Sequence, residues 1–359
     1  MRPGDVDAGG VWIRRQPRSG GADKMVFSRG DVRTYSSVEN SPSTSRKTFG
    51  ENQGEATVYP FWEVIVEPTL KRLRPRVVVE VGSEAANSTV RLAAFCREQG
   101  ALLHSIDPAP KFDVERFSQE YEGYFQFHRA KSLEALPRIP TYDVVLIDGD
   151  HNWYTVFHES KLLEERALKQ SPPFPMVFLH DVGWPYARRD LYYDPTSIPP
   201  EFRQPYARKG MHPDQSRLLD SGGMNPNLCN ALEEGTPRNG VLTAVEDFLA
   251  QTSIPLDFWI IPGLNGLGIL APRAVLEQNA SLADYLDQWR LPDDVTAYLE
   301  RIEDFRIRNI LRLLDTRAAL AREQARLGAR IRELEGVVQQ MTAKLHAAQG
   351  ELSRLKASS

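Results

Sequence analysis

Cysteine is nearly absent: the 359-residue chain has only Cys96 and Cys229. They lie far apart and in no metal-ligand spacing. That excludes a disulfide framework or a cysteine-based zinc site and fits a reducing compartment. Long apolar runs are missing too. No uninterrupted stretch of eighteen apolar residues occurs, so no membrane span is expected. The first residues, Met1 to Val11, contain no apolar core of signal type, and the expected location is cytoplasmic. Neither sign of charge is in excess. The formal net charge of −4 gives no electrostatic drive towards nucleic acid, so none is expected as a partner.

What is present is organised in three stretches. Residues 1 to about 50 are rich in Gly, Ser, Arg and Pro and show no hydrophobic period, the composition of a mobile arm. From about 51 to 300 the pattern is globular, and from 301 to 359 a coiled coil is expected. The globular part opens with a helix expected over Phe61 to Leu73, carrying Phe61, Trp62, Ile65 and Leu73 as apolar positions. Strands and helices then alternate. Strands are expected at Val77–Val81, Leu102–Ile106, Tyr124–His128, Tyr142–Ile147 and Met176–Leu179. Helices are expected at Ser88–Gln99, with Gly100 as stop signal, and at Trp153–Lys169. A Pro- and Gly-dense insert, 183 to 238, reads as irregular and too long for an ordinary connection, which marks it as functional. A helix at Gly240–Ala250 and strands at Phe258–Ile261 and Gly268–Leu270 close the domain. Continuous apolar strands alternating with helices predict an α/β fold, a mostly parallel Rossmann-like sheet covered by helices on both faces.

The tail follows a different rule. Leu313, Leu320, Leu327, Leu334, Met341, Ala348 and Leu355 recur every seven residues. Ile310, Ile331, Val338, Leu345 and Leu352 take the companion positions, with Arg317 and Gln324 as polar breaks. A sustained heptad specifies a left-handed coiled coil and predicts a homo-oligomer. A single amphipathic helix folded back on the domain is the alternative.

In an open parallel sheet, ligands bind beyond the carboxyl ends of the strands. The first strand ends in Glu80-Val81-Gly82-Ser83, and Asn87 or Ser88 stands where a helix cap belongs. Gly82 permits close approach of a ligand to the backbone. The second strand ends in Asp107, whose carboxylate can accept from both hydroxyls of a ribose. Only one glycine of G-x-G-x-x-G survives, which argues against a pyrophosphate turn and a nicotinamide oxidoreductase. The fourth and fifth strands end in Asp148-Gly149-Asp150-His151 and His180-Asp181. Two carboxylates on adjacent strand ends can hold one hard cation, Mg²⁺ or Mn²⁺, and a nitrogen from His180 would tilt the choice towards Mn²⁺ or Fe²⁺.

These residues resemble class I S-adenosylmethionine (SAM)-dependent methyltransferases. Glu80 and Gly82 match the family's first motif, with Ala86 where many members have glycine, and Asp107 matches its ribose-binding acid. The resemblance places Lys131-Ser132-Leu133 near the adenine. The D-G-D-H segment followed by H-D looks like metal-dependent O-methyltransferases of the sugar-modifying and catechol types. It implies SAM as cofactor, held by Glu80, Gly82, Ser83, Ser88, Asp107, Ser132 and Asp148. It further implies Asp148 and Asp181 as metal ligands and His151 as the base; His180, which stands where some relatives have an acid, is a candidate third ligand through its nitrogen. Trp184, Tyr186, Arg188, Arg189, Tyr192, Tyr193 and Met211 of the insert are candidates for holding a small-molecule or glycan acceptor, against packing among themselves as a surface loop. A catechol-like acceptor, or a catalytically silent coiled-coil scaffold, are the rival readings.

Overall fold

The structure is a computed structural model; residues 59–170 and 173–357 are described, and the expected arm lies outside them. The chain enters through a 3₁₀ turn, Tyr59–Phe61, a π-helical turn, Trp62–Val66, and helix α1, Glu67–Leu73. The single helix expected here is therefore broken up. Pro68 lacks the N–H that would bond to the Val64 carbonyl in a regular helix, and that carbonyl accepts from the Tyr285 hydroxyl instead.

The expected alternation follows: β1 (Val77–Val81), α2 (Thr89–Gln99), β2 (Leu102–Ile106), α3 (Val114–Glu120), β3 (Phe125–His128), α4 (Ser132–Ala135), β4 (Val144–Ile147), α5 (Trp153–Gln170) and β5 (Met176–His180). Three short strands of the insert, β6 (Leu191–Tyr192), β7 (Tyr206–Arg208) and β8 (Cys229–Ala231), come next. After them are α6 (Val241–Leu249), β9 (Leu256–Ile261), β10 (Leu267–Pro272), α7 (Arg273–Gln278), α8 (Ala280–Asp287) and the 65-residue α9 (Asp293–Ala357). No helix among the described residues is long and apolar enough to cross a membrane.

Seven strands form one sheet in the order β3-β2-β1-β4-β5-β10-β9. The first five are parallel, and β10 pairs antiparallel with both β5 and β9. Alternate residues of the buried strands feed two cores. Val78, Leu146 and Phe178 pack with Leu70, Leu92, Phe117 and Leu282 from α1, α2, α3 and α8 on one face. Val79, Val145, Val177 and Leu179 pack with Val156, Leu163, Val245 and Phe248 from α5 and α6 on the other. Each such side chain contributes about 1.5–3 kcal/mol by leaving water, which explains why continuous apolar strands settle between two helical layers. The strand order reverses between β2-β1 and β4-β5, so the carboxyl ends of β1 and β4 open the crevice where this architecture binds ligands.

The insert, expected to be irregular, contains its own antiparallel sheet in the order β6-β8-β7. Its small cores are Tyr186, Leu191 and Met211, and Tyr192, Ile198 and Cys229. Strands of two or three residues are too short to show a period in the sequence.

Helix α9 begins well before the heptads. Ile307 and Leu311 are buried, and Arg308 makes a bidentate pair with Asp214 of the insert at 2.8 and 2.6 Å. Beyond them Leu313, Leu320, Leu327, Leu334, Met341 and Leu355 are all exposed.

Candidate active site

The turn after β1 is held where the sheet opens. Gly82 has φ +88°, and a Cβ there would lie 2.2 Å from the Asp148 carbonyl oxygen, so only glycine lets the ends of β1 and β4 approach this closely. Ala86 also adopts a left-handed conformation, φ +65°, a backbone shape that glycine takes without strain. Asp107 ties the turn to β2. Its Oδ2 accepts from the amides of Ser83, at 3.1 Å, and Glu84, at 2.8 Å, and its Oδ1 accepts from the Ala109 amide at 2.7 Å. Glu80 lies beneath, taking hydroxyl donors from Thr89 and Ser105 at 2.8 Å each. Burial pushes its carboxyl up to about 8, against the pull of those two hydrogen bonds.

Glu80, Gly82, Ser83, Asp107 and Asp148 thus converge on one strand edge. Ser132 opens α4 on the next loop and is buried. Ser88 does not do what its position suggested. It has helical dihedrals itself, φ −82° and ψ −38°, and its side chain makes no capping bond. A capping side chain normally projects from an extended residue, and the Ser88 hydroxyl has no partner among the described residues.

The ends of β4 and β5 bring four chemical groups together. One ligand-type atom each from Asp148, His151, His180 and Asp181 lies within 4.8 Å of all the others. The His151 Nε2 is 2.8 Å from Asp181 Oδ2 and 3.5 Å from Asp148 Oδ1. The His180 Nδ1 is 3.2 Å from an oxygen of each aspartate. Its other nitrogen, Nε2, donates to the Leu264 carbonyl at 3.1 Å. A neutral ring so tied presents a lone pair at Nδ1 to two carboxylates, an arrangement that calls for a cation among them. Without one, protons supply the charge. Burial alone would lower His151, but Asp181 and Asp148 outweigh it and push the ring up to about 10. Burial would likewise raise Asp181, and the two imidazoles hold it well below the usual carboxylate range instead.

Supporting groups fix this cluster from behind. Asp181 has φ +60°, a conformation that costs about 1–2 kcal/mol in an L-residue. It is held there by the Asn265 amide, which donates to Asp181 Oδ1 at 3.1 Å. The insert holds the other side. The Leu191 amide donates to the His151 carbonyl at 2.9 Å, and the buried Asp190 accepts from the Trp153 and Gly240 amides and the Tyr192 hydroxyl.

Of the seven insert residues suggested by sequence, most are internal to the fold. Tyr192 and Met211 are buried, and Trp184 is partly buried against the insert's own core. Arg189 is buried with donors on the Ala231 and Ser216 carbonyls, and Arg188 pairs with Glu246. Tyr186 stacks on His151 with ring centroids 5.6 Å apart. Tyr193 stands edge-on to His151 at 6.1 Å and is 59% exposed, so its ring is open to a ligand. Sequence reasoning passed over Asp190, Leu264 and Asn265. The last two lie in Pro262-Gly263-Leu264-Asn265-Gly266, a turn signal that marks a tight connection but says nothing of what it touches.

Residues 79–182 match the family model of a methyltransferase domain. That segment includes Gly82, Asp107 and all four cluster residues. Residues 79–182 thus resemble a methyltransferase domain. The sheet and its helices have a Rossmann-like arrangement, while the insert, the closing strands and α9 fall outside the matched segment. No curated protein matches the chain. Solved structures similar to it include an SAH-bound methyltransferase of Podospora anserina, 13% identical over 57% of this chain and 76% of that one, with a TM-score of 0.35. Another is the 1,6-didemethyltoxoflavin-N1-methyltransferase of Burkholderia thailandensis, 15% identical over 60% of this chain and 80% of that one, with a TM-score of 0.34.

Proposed function

We propose that the protein is an SAM-dependent O-methyltransferase that acts on a hydroxyl of a sugar, glycoside or glycan and uses a divalent cation held by Asp148, Asp181 and His180. One observation carries the reading. In a segment that matches a methyltransferase domain, at the carboxyl edge next to the Gly82 turn, a buried imidazole nitrogen lies 3.2 Å from an oxygen of each of two carboxylates. A divalent cation bound there would polarise the acceptor hydroxyl and lower its pKa.

The chain's own residues have separable tasks. The Gly82 turn and Asp107 receive the cofactor, and ribose hydroxyls would share the Asp107 carboxylate with the turn's amides. His151 takes the hydroxyl proton at Nδ1, which is buried and without a partner among the described residues. Its Nε2 faces Asp181, which orients the ring as carboxylates orient catalytic imidazoles elsewhere, and stacking on Tyr186 limits its rotation. The open face of Tyr193 suits a sugar ring. A catechol-like acceptor is the second reading, favoured by the same exposed ring, because an aromatic face also stacks on a planar diol.

The test is transfer of labelled methyl from SAM to a panel of glycosides, lipid-linked glycans and catechols, before and after chelation. Chelation should abolish transfer and Mn²⁺ or Mg²⁺ restore it, while His151→Ala should lower kcat by about 10²–10⁴-fold. Full activity after thorough chelation would refute the cation, and transfer to catechols alone would decide for the second acceptor.

The exposed heptads of α9 fit pairing with a second copy of this chain. The stretch from Ile310 to Leu355 is about 45 residues, nearly 70 Å at about 1.5 Å per residue. Its leucines face solvent in the single chain. A seven-residue period needs a partner helix to bury it, and Arg317 and Gln324 at core positions would fix one register.

A further inference from the structure

We propose that Glu303 and Arg306, in the N-terminal part of α9, are positioning residues of the active site. They act through the turn between β9 and β10, and the proposal rests on the cation reading above. The turn contacts the cluster twice. The Leu264 carbonyl accepts from His180 Nε2 at 3.1 Å, which leaves Nδ1 as the lone pair facing the aspartates. The Asn265 side-chain amide donates to Asp181 Oδ1 at 3.1 Å, which leaves Oδ2 turned towards His151 and His180.

The backbone of this turn does not hold its shape through ordinary propensity. Gly263, Leu264, Asn265 and Gly266 all have positive φ, at 97°, 51°, 67° and 86°. For a branched side chain such as leucine this is an unusual conformation that the surroundings must impose. The surroundings are α9 and the strand end itself. The Asn265 amide N–H donates to Glu303 Oε1 at 2.9 Å. The Arg306 guanidinium donates to Asn265 Oδ1 at 2.7 Å and to both Glu303 oxygens at 2.6 Å each. The Gly183 amide donates to the Asn265 carbonyl at 2.6 Å. The Arg306 bond fixes which end of the Asn265 side chain points at Asp181: with its oxygen held by a guanidinium, its NH₂ must face the carboxylate. Groups that orient metal ligands from behind commonly change metal affinity by about 10–100-fold, and two helix residues here set the orientation of two of the three proposed ligands.

The experiment uses the full chain. Mn²⁺ affinity is measured by titration calorimetry or by the free-ion paramagnetic resonance signal, for the wild type, Arg306→Ala, Arg306→Lys, Asn265→Ala and Arg308→Ala. Arg308 sits on the same helix but pairs with Asp214 and Asp304, away from the turn, so its variant reports general loosening of the helix. Arg306→Ala and Asn265→Ala should each weaken Mn²⁺ binding by about 10-fold or more. Arg308→Ala should leave it within about twofold, and Arg306→Lys, which keeps a donor for Asn265, should recover part of the loss. Thermal unfolding in chelator checks that each variant is folded, and if Arg306→Ala is not, Asn265→Ala and Arg306→Lys carry the test. A wild type that binds Mn²⁺ with unchanged affinity in the Arg306 and Asn265 variants overturns the positioning role and leaves the cation reading intact. Equal losses in Arg306→Ala and Arg308→Ala overturn it as well. A wild type that binds no divalent cation overturns the cation reading and, with it, this one.

Discussion

Asp190→Ala tests how the insert supports the D-G-D-H segment. The carboxylate accepts from the Trp153 amide at 2.7 Å, the Gly240 amide at 2.6 Å and the Tyr192 hydroxyl at 2.7 Å, and the residue is fully buried. Truncation leaves three buried donors without an acceptor, at about 2 kcal/mol each or about 6 in all. Against this stands the cost of keeping a buried charge. Burial pushes the Asp190 carboxyl up to about 6 from 3.8. At about 1.4 kcal/mol per pH unit, ionisation at neutral pH costs about 3 kcal/mol that the alanine variant is spared. The net expectation is a loss of about 3 kcal/mol of stability at pH 7, read from the midpoint and slope of guanidinium unfolding. Asp190→Asn keeps an oxygen for the two amides and removes the charge, so it should lose less than about 1 kcal/mol. Because Trp153 starts α5 directly behind His151 and Asn152, the alanine variant should also lower kcat under conditions where it remains folded. An alanine variant within about 1 kcal/mol of wild type, or an asparagine variant as damaged as alanine, would refute this account of the network.

Three further outcomes follow from the geometry. Gly82→Ala should abolish SAM binding by calorimetry and lower the melting temperature, because its Cβ meets the Asp148 backbone at 2.2 Å; normal affinity would mean the β1 turn is not the cofactor's cradle. The His104–His128 pair, 2.9 Å apart, should make the fold acid-sensitive. Burial lowers the His104 ring to about 4 from 6.5, so the unfolded chain holds its proton more tightly. Stability is then full above about pH 6.5 and lost as pH falls towards 4, by roughly 2 kcal/mol once solvent access to the pair is allowed for; in urea unfolding from pH 7 to 4.5, a His104→Phe variant with an undiminished slope would contradict this. Truncation after Asp315 keeps Ile307, Arg308 and Leu311 in place and should turn a dimer into a folded monomer by light scattering, whereas full-length protein already monomeric at micromolar concentration would rule out pairing of the heptads.

The sheet was legible because its strands are continuous runs such as Val77-Val78-Val79 and Val144-Val145-Leu146-Ile147, which only a two-sided core accommodates. The cluster was legible because strand ends deliver side chains to one edge, so Asp148 and Asp181 could be brought together from topology alone. What stayed hidden depends on contacts between segments distant in sequence. Asn265 reaches Asp181 across 84 positions, and Asp190 reaches Gly240 across 50. Neither residue stands in a periodic pattern, and a lone Asn or Asp in a turn has the same composition whether it caps a loop or supports a ligand. The start of α9 was missed for a related reason. Ahead of the heptads it buries Ile307 and Leu311, and the seven-residue period emerges only beyond them.

Asp181 and Ala86 both keep backbone conformations that their own side chains disfavour, one at the metal edge and one at the cofactor turn. A laboratory selection for heat resistance alone would show which of these two positions the fold can relax. Glycine at 86 would relax the backbone and leave the turn's chemistry untouched. Glycine or asparagine at 181 would relax it as well, while removing a charge on which His151 and His180 both depend. Variants gathered by such a selection should therefore carry glycine at 86 and keep aspartate at 181, where contacts to two imidazoles outweigh a strain of about 1–2 kcal/mol, so durability can rise at one residue without touching turnover and not at all at the other.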